Sequence, residues 1–126
     1  MAKKLDGAGA AKLVTLDDAN VQVQRLHALV ERMAIAVRGR ADIGQLRQQI
    51  QRAAVPLVGL LKGQFGMIAE QVTAMLLVLT RSGTDQTRLR GLRESVGQIR
   101  TALEIAGNRV RENHTTDDAA PAAAAD

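Results

Sequence analysis

The feature that most constrains the fold is a set of apolar residues that recur at alternating spacings of three and four along two stretches of the chain. The first stretch carries Leu16, Ala19, Val23, Leu26, Val30, Met33 and Val37. The second carries Leu89, Leu92, Val96, Ile99, Leu103, Ala106 and Val110. This alternation keeps apolar side chains on one side of an α-helix, which then packs against another helix. The pattern predicts long helices joined along narrow apolar seams.

Local signals indicate where these helices begin and end. The predicted helices cover residues 17–38, 43–81 and 86–112. Thr15 and Asp18 have the spacing of a capping box before the first helix, and Gly39 is a natural stop after it. Residues 82–85, Ser-Gly-Thr-Asp, provide a stop and a new cap before the third. The sequence therefore predicts an all-α fold, an antiparallel helical bundle or coiled coil of three long helices.

The two ends of the chain differ in composition from the part between them. Residues 1–14 are small, polar and Gly-rich, and we expect a flexible N-terminal segment there. Residues 15–113 form the predicted helical bundle domain. Residues 114–126 contain Asp117, Asp118 and Asp126 and are otherwise rich in alanine, which is typical of a disordered acidic tail.

The second predicted helix differs from the other two. Pro56 lies inside it, and a proline in a helix removes a hydrogen bond and clashes with the preceding turn. We therefore expect the helix to be kinked or split near Pro56, either as a tolerated kink or as a hinge. Gly59, Gly63 and Gly66 follow on one side, where they would allow another helix to approach closely.

The same helix is apolar on more than one face, so it needs several neighbours to cover it. Two seams from the other helices are too few, and the sequence therefore predicts completion of the bundle by a homo-oligomer, with a dimer favoured. The predicted interface residues are Leu57, Gly59, Leu61, Gly63, Phe65, Gly66, Ile68, Val72, Met75, Leu79, Leu92, Val96, Ile99 and Leu103.

The residues that carry chemistry are few. The chain has no cysteine, Trp or Tyr and only two histidines, and it lacks Glu-x-x-His pairs and Gly-rich phosphate loops. We therefore expect no enzymatic activity, no catalytic residues, no cofactor and no metal. His27 is expected at the half-buried edge of a seam, and Glu70 in a polar layer that fixes helix register, with a proton-handling role as the alternative.

Composition also bears on partners and location. The formal net charge of +4 is spread along the chain, and no aromatic platforms accompany the arginines, which argues against nucleic acid. The apolar run 53–79 is interrupted by Lys62 and Glu70, so we interpret it as a buried helix rather than a membrane span. No leader pattern is recognised, and a cytoplasmic location is expected.

The outline of residues 42–112 invites one comparison. A long helix kinked at a proline, a short turn and a second helix resemble the dimerisation and phosphotransfer hairpin of sensor histidine kinases. That family carries a His-Glu pair before a Pro-Leu or Pro-Ile pair. Here Pro56-Leu57 is present, but Gln51 and Arg52 stand at the His-Glu positions. The resemblance implies a degenerate dimerisation module that does not transfer phosphate.

These observations favour a non-enzymatic oligomerisation, scaffold or adaptor protein that binds an unidentified protein partner by coiled-coil packing. Two alternatives remain open at the level of sequence. One is the degenerate dimerisation module just described. The other is an amphipathic helical protein that coats a membrane surface or a hydrophobic particle, in which the excess apolar surface of the second helix would contact that surface.

Overall fold

The computed structural model describes residues 3–117, and this part of the chain folds into a helical bundle. The helices are α1 (Gly7–Arg38), α2 (Gly44–Lys62), α3 (Gly66–Thr80) and α4 (Asp85–Asn113). Two three-residue strands, β1 (Lys3–Leu5) and β2 (Thr115–Asp117), pair antiparallel at the two ends of the described chain. Within residues 3–117, no helix is both long enough and apolar enough to span a bilayer.

The helices follow one another around the bundle. Each packs against the next in sequence, and α1 packs against α4 to close the ring. Arg47, near the start of α2, donates a hydrogen bond to the carbonyl of Leu79, near the end of α3. Arg93, near the start of α4, binds Glu31, near the end of α1. Neighbouring helices therefore run antiparallel, in an up-down-up-down arrangement.

The long second helix predicted from the sequence is instead two helices, and the break is not near Pro56. α2 continues through Pro56 and ends at Lys62, and α3 begins at Gly66. Pro56 lies on the exposed side of α2, where water can reach a carbonyl left without its donor. Glycine at 63 and 66 weakens the helix at the observed break. Because the chain folds back at residues 63–65, the apolar faces of both α2 and α3 contact the core.

The first helix begins ten residues earlier than the capping-box spacing predicted. Asp6 caps it, since its Oδ1 accepts a hydrogen bond of 2.6 Å from the backbone N–H of Gly9. Thr15 lies inside the helix, and its hydroxyl donates to the carbonyl of Ala11. The predicted end is confirmed, because Gly39 caps α1. The last cap is confirmed as well, with Thr84 accepting from the N–H of Thr87 before α4.

The core consists of the predicted seams, brought together within one chain. The buried residues that α1 and α4 contribute to the hydrophobic core are Leu16, Ala19, Val23, Leu26, Val30, Met33, Leu92, Val96, Ile99, Leu103 and Val110. Those of the α2–α3 hairpin are Ile50, Ala54, Leu57, Leu61, Ile68, Ala69, Val72, Met75 and Leu79. The hairpin thus supplies two seams, which cover the seams of α1 and α4 inside the monomer.

Two arginines from neighbouring helices satisfy carbonyls at the end of α3. The last turn of α3 contains no basic residue of its own, and its final carbonyls lack partners within the helix. Arg47 of α2 donates to the carbonyl of Leu79, and Arg88 of α4 donates to the carbonyl of Arg81 at 2.7 Å. Arg88 also binds Asp85 at 2.9 Å and is only 9 % exposed. These contacts join three helices at one end of the bundle.

Replacing Arg88 with Met should destabilise the fold by about 2 kcal/mol, because hydrogen bonds from a charged donor are lost at a buried position. Chemical denaturation followed by circular dichroism measures this change. Arg90→Met is the matched control, since Arg90 is exposed on the same helix. Equal midpoints for the two variants would contradict the assigned role of Arg88.

Glycine substitutions test the packing of α2 and α4. A Cβ on Gly59 would meet nothing within 4 Å, whereas a Cβ on Gly91 would lie 2.9 Å from Cγ1 of Val78. Gly59→Ala should therefore stabilise the protein by about 1 kcal/mol through helix propensity alone. Gly91→Ala should show a smaller gain in stability or a net loss, because the added Cβ would force Val78 of α3 away from α4. Thermal melting of both variants gives the comparison, and equal gains would contradict the close approach.

Candidate interaction site

α1 and α4 are longer than α2 and α3, so they extend past the turn of the α2–α3 hairpin. At that level a groove opens between the start of α3 and the second half of α4, which we call the tip groove. Its apolar lining consists of Phe65, Met67, Ile68, Ala102, Ile105, Ala106 and Val110. On α4 the lining runs from Ala102 to Asn113, about 17 Å at 1.5 Å per residue. The groove is therefore as long as three helical turns.

The apolar lining is open to solvent at two prominent positions. Met67 is 82 % exposed, and Ile105 is 47 % exposed. Met67 is the second residue of α3, so no preceding turn of that helix covers its side chain. Ile105 lines the same groove from α4. Methionine is flexible and polarisable and adapts to varied apolar partners. The two side chains give the tip groove an apolar mouth.

The polar lining of the tip groove carries positive and neutral groups. It consists of Lys12, Gln64, Gln71, Arg109, Asn113 and His114. No carboxylate is among these lining residues, all of which lie in the described part of the chain. An apolar groove with a cationic rim favours a ligand that presents an apolar face and negative charge.

His114 ties the ends of α1 and α4 together beside the groove. Its Nε2 lies 3.2 Å from Nζ of Lys12, and its Nδ1 lies 3.3 Å from Oδ2 of Asp6. An ammonium group can only donate, so Lys12 is the donor in the first contact, and the Asp6 carboxylate is the acceptor in the second. The backbone N–H of Asp6 donates to the carbonyl of His114 at 2.8 Å.

Gly9 makes this junction possible. A Cβ at Gly9 would lie 2.4 Å from Cβ of His114, closer than two carbon atoms can approach. The small residues near the start of the chain therefore allow α1 to meet the end of α4, as part of a helix rather than the flexible segment expected there. Of the tail predicted at residues 114–126, the structure describes residues 114–117, and residues 118–126 lie outside the described residues.

The hydrogen bond from the Gly9 N–H lowers the pKa of the Asp6 carboxyl below its ordinary value, with His114 and Lys12 contributing in the same direction. Glu31 behaves similarly on the other end of α1. Its hydrogen bonds with Arg93, at 3.0 Å each, lower the pKa of its carboxyl and raise the pKa of Arg93. This pair also accounts for a cation in the first turns of α4, where the helix dipole disfavours one.

The structure divides the predicted interface residues into three groups. Those buried in the core of the single chain are Leu57, Leu61, Ile68, Val72, Met75, Leu79, Leu92, Val96, Ile99 and Leu103. Gly59, Gly63 and Gly66 are exposed, and a Cβ on any of them would meet nothing within 4 Å, so the close approach expected there is not made within the chain. The third group is Phe65 alone, which is partly buried against the core and lines the tip groove together with Gly66 and Ile68 of the other groups.

Several residues of the tip groove were missed by sequence reasoning. Met67 and Ile105 lie off the seams, where a lone apolar residue on a helix surface is ordinary. Lys12 was assigned to a flexible segment, and no sequence pattern singled out Arg109. His27, expected at the half-buried edge of a seam, and Glu70, expected in a polar layer, are both exposed. Among the described residues, no three or more His, Asp or Glu side chains group so as to hold a metal ion.

Comparison of the chain with models of protein families, with curated proteins and with solved structures gave no match.

The contacts of Asp6 with Gly9 and His114 predict that part of the stability of the fold is lost in acid. Because the pKa of Asp6 is lowered in the folded state, its contribution to stability is complete above the ordinary aspartate pKa and is lost as the pH falls through the lowered one. Asp6→Asn removes the titration and keeps a side chain that caps helices well. The difference in denaturation midpoint between wild type and this variant should narrow or reverse on acidification from about pH 6 to about pH 2. A difference independent of pH would contradict the assignment.

Proposed function

We propose that this chain is a non-enzymatic adaptor or scaffold protein that binds a partner protein in the tip groove. The observation that carries the proposal is the exposed apolar mouth formed by Met67 and Ile105 beside the cationic side chains of Lys12 and Arg109. The partner segment that fits is an amphipathic helix with an apolar face and an acidic flank, lying between α3 and α4. The homodimer and the cytoplasmic location expected from the sequence belong to the same proposal.

The dimensions of the groove support a helical occupant. The α4 side of the groove is about three helical turns long, and three turns of a partner helix present apolar anchors at spacings of three and four. The cationic side chains of Arg109 and Lys12 lie toward the end of the groove that is nearest the C-terminus of α4, where Lys12 contacts His114. An acidic residue on the partner would meet them there and fix the direction in which the helix lies.

The two alternatives draw no support from a specific observation. Exposed large apolar residues occur on all four helices, with Val55 on α2, Leu77 on α3 and a single row on α1, rather than on one broad face for a membrane. The outline that resembled the kinase hairpin depended on a long kinked helix, and α2 and α3 fold back on each other instead.

Met67→Glu places a carboxylate at the mouth of the tip groove and should abolish binding of an acidic amphipathic partner. Val55→Glu is the matched control, because Val55 is an apolar residue 53 % exposed on α2, away from the groove. Affinity capture from the source cell with the three full-length proteins, followed by mass spectrometry, makes the comparison. A protein retained by wild type and Val55→Glu, and lost from Met67→Glu, supports the proposal.

A defined probe separates the site from the function. Anilinonaphthalene sulfonate combines an apolar ring system with one negative charge, so it matches the chemistry of the tip groove. Its fluorescence should increase when it is mixed with wild type or Val55→Glu. The increase should be smaller with Met67→Glu and with Arg109→Glu. Probe binding without any captured partner would reject the adaptor function and keep the site. Equal probe binding by all four proteins would reject the site itself.

A further inference from the structure

The outward side of α1 carries a second apolar feature, separate from the tip groove. Val14, Val21, Ala28 and Ile35 are spaced by seven residues and all are exposed, and we call them the outer stripe. Val14, Val21 and Ile35 are 60 %, 62 % and 63 % exposed, more than any other large apolar residues except Met67. The stripe covers about 32 Å of the helix at 1.5 Å per residue.

The spacing distinguishes the outer stripe from scattered apolar surface residues. Residues seven apart lie almost above one another on a helix, with a drift of only about 20° for each repeat. The buried residues of α1, such as Val23 and Val30, occupy the opposite side. Single exposed apolar side chains are ordinary, but a row of them along one line forms a contact surface.

Charged residues beside the outer stripe change sign along the helix. Asp18, Arg25 and Arg32 follow one flank at the same spacing of seven. On the other flank are Asp17, Gln24 and Glu31, and Glu31 is already bound by Arg93 of α4. The uncompensated negative charge is therefore near the start of α1, and the positive charge is nearer its end.

We propose that the outer stripe is a self-association surface on which α1 of a second copy of this chain packs antiparallel. A two-fold axis between Val21 and Ala28 places Val14 against Ile35 of the second copy and Val21 against its Ala28. The same flanks of the two helices then meet, so Asp18 lies opposite Arg32 of the second copy, twice by symmetry. In a parallel pair the two different flanks would meet instead, which places Asp18 opposite Asp17 of the second copy and Arg32 opposite Glu31, a carboxylate already bound by Arg93.

One contact in this arrangement is unfavourable and makes the register testable. Arg25 lies on the same flank near the two-fold axis, where it approaches Arg25 of the second copy. The dimer is therefore weakened at its centre by like charges and strengthened on both sides by the Asp18–Arg32 pairs. None of these residues lines the tip groove, so the outer stripe and the tip groove are tested separately, while the homodimer itself is part of the proposed function.

Sedimentation of the full-length protein over a concentration series tests the surface. Wild type should form a dimer, and Val21→Glu should raise the dimer dissociation constant by at least about tenfold, because two carboxylates enter the apolar contact near the axis. Leu77→Glu is the matched control, since Leu77 is 55 % exposed on α3 and should leave the dimer intact. Circular dichroism verifies that each variant is folded. A monomeric wild type, or a dimer insensitive to Val21→Glu, would overturn the proposal.

Charge reversal tests the antiparallel register. Asp18→Arg and Arg32→Asp should each weaken the dimer, and the double variant should restore it, because the pairs are rebuilt with opposite sign. Arg25→Gln should tighten the dimer by removing the like-charge contact at the axis. Single reversals without effect, or a double variant that remains as weak as the singles, would exclude this register.

Discussion

The fold depends on one constraint, which is that each apolar seam must be covered by another seam of the same chain. α1 and α4 each carry a narrow seam that one neighbour cannot enclose. The α2–α3 hairpin supplies two more seams, and the four together enclose a core without aromatic residues. The turn at residues 63–65 is therefore the point on which the architecture rests. If one continuous helix ran through this turn, α1 and α4 could not both pack against its second half.

The length difference between the helices decides where the surface is available. Because α1 and α4 extend past the hairpin, the bundle changes from four helices to two at the level of Phe65. Two helices cannot enclose a core, and the extended part is held by the junction of Asp6, Lys12 and His114 instead. The tip groove lies where the four-helix part of the bundle ends and the two-helix part begins. Apolar side chains at that level are no longer covered on all sides, which explains the apolar lining of the groove.

The sequence predicted the seams well because heptad spacing reports directly on which side of a helix is buried. All but two of the residues in the α4 seam are buried, and those two, Leu89 and Ala106, are partly buried against the core. The break at residues 63–65 was placed wrongly near Pro56, since the local cost of a proline depends on whether its side of the helix meets water. That depends on tertiary packing, which spacing alone does not encode. The tip groove escaped prediction for the same reason, because its residues come from three separate helices.

The pairing of β1 with β2 has a consequence for the chain as a building unit. Residues 3–5 and 115–117 lie side by side, so the polypeptide enters and leaves the bundle at one end. That end is also the end at which Asp6 meets His114, beside the tip groove. In the proposed antiparallel pair of copies, the two entry points would lie at opposite ends of the assembly, so whatever one copy holds at its tip groove would be kept apart from what the other copy holds.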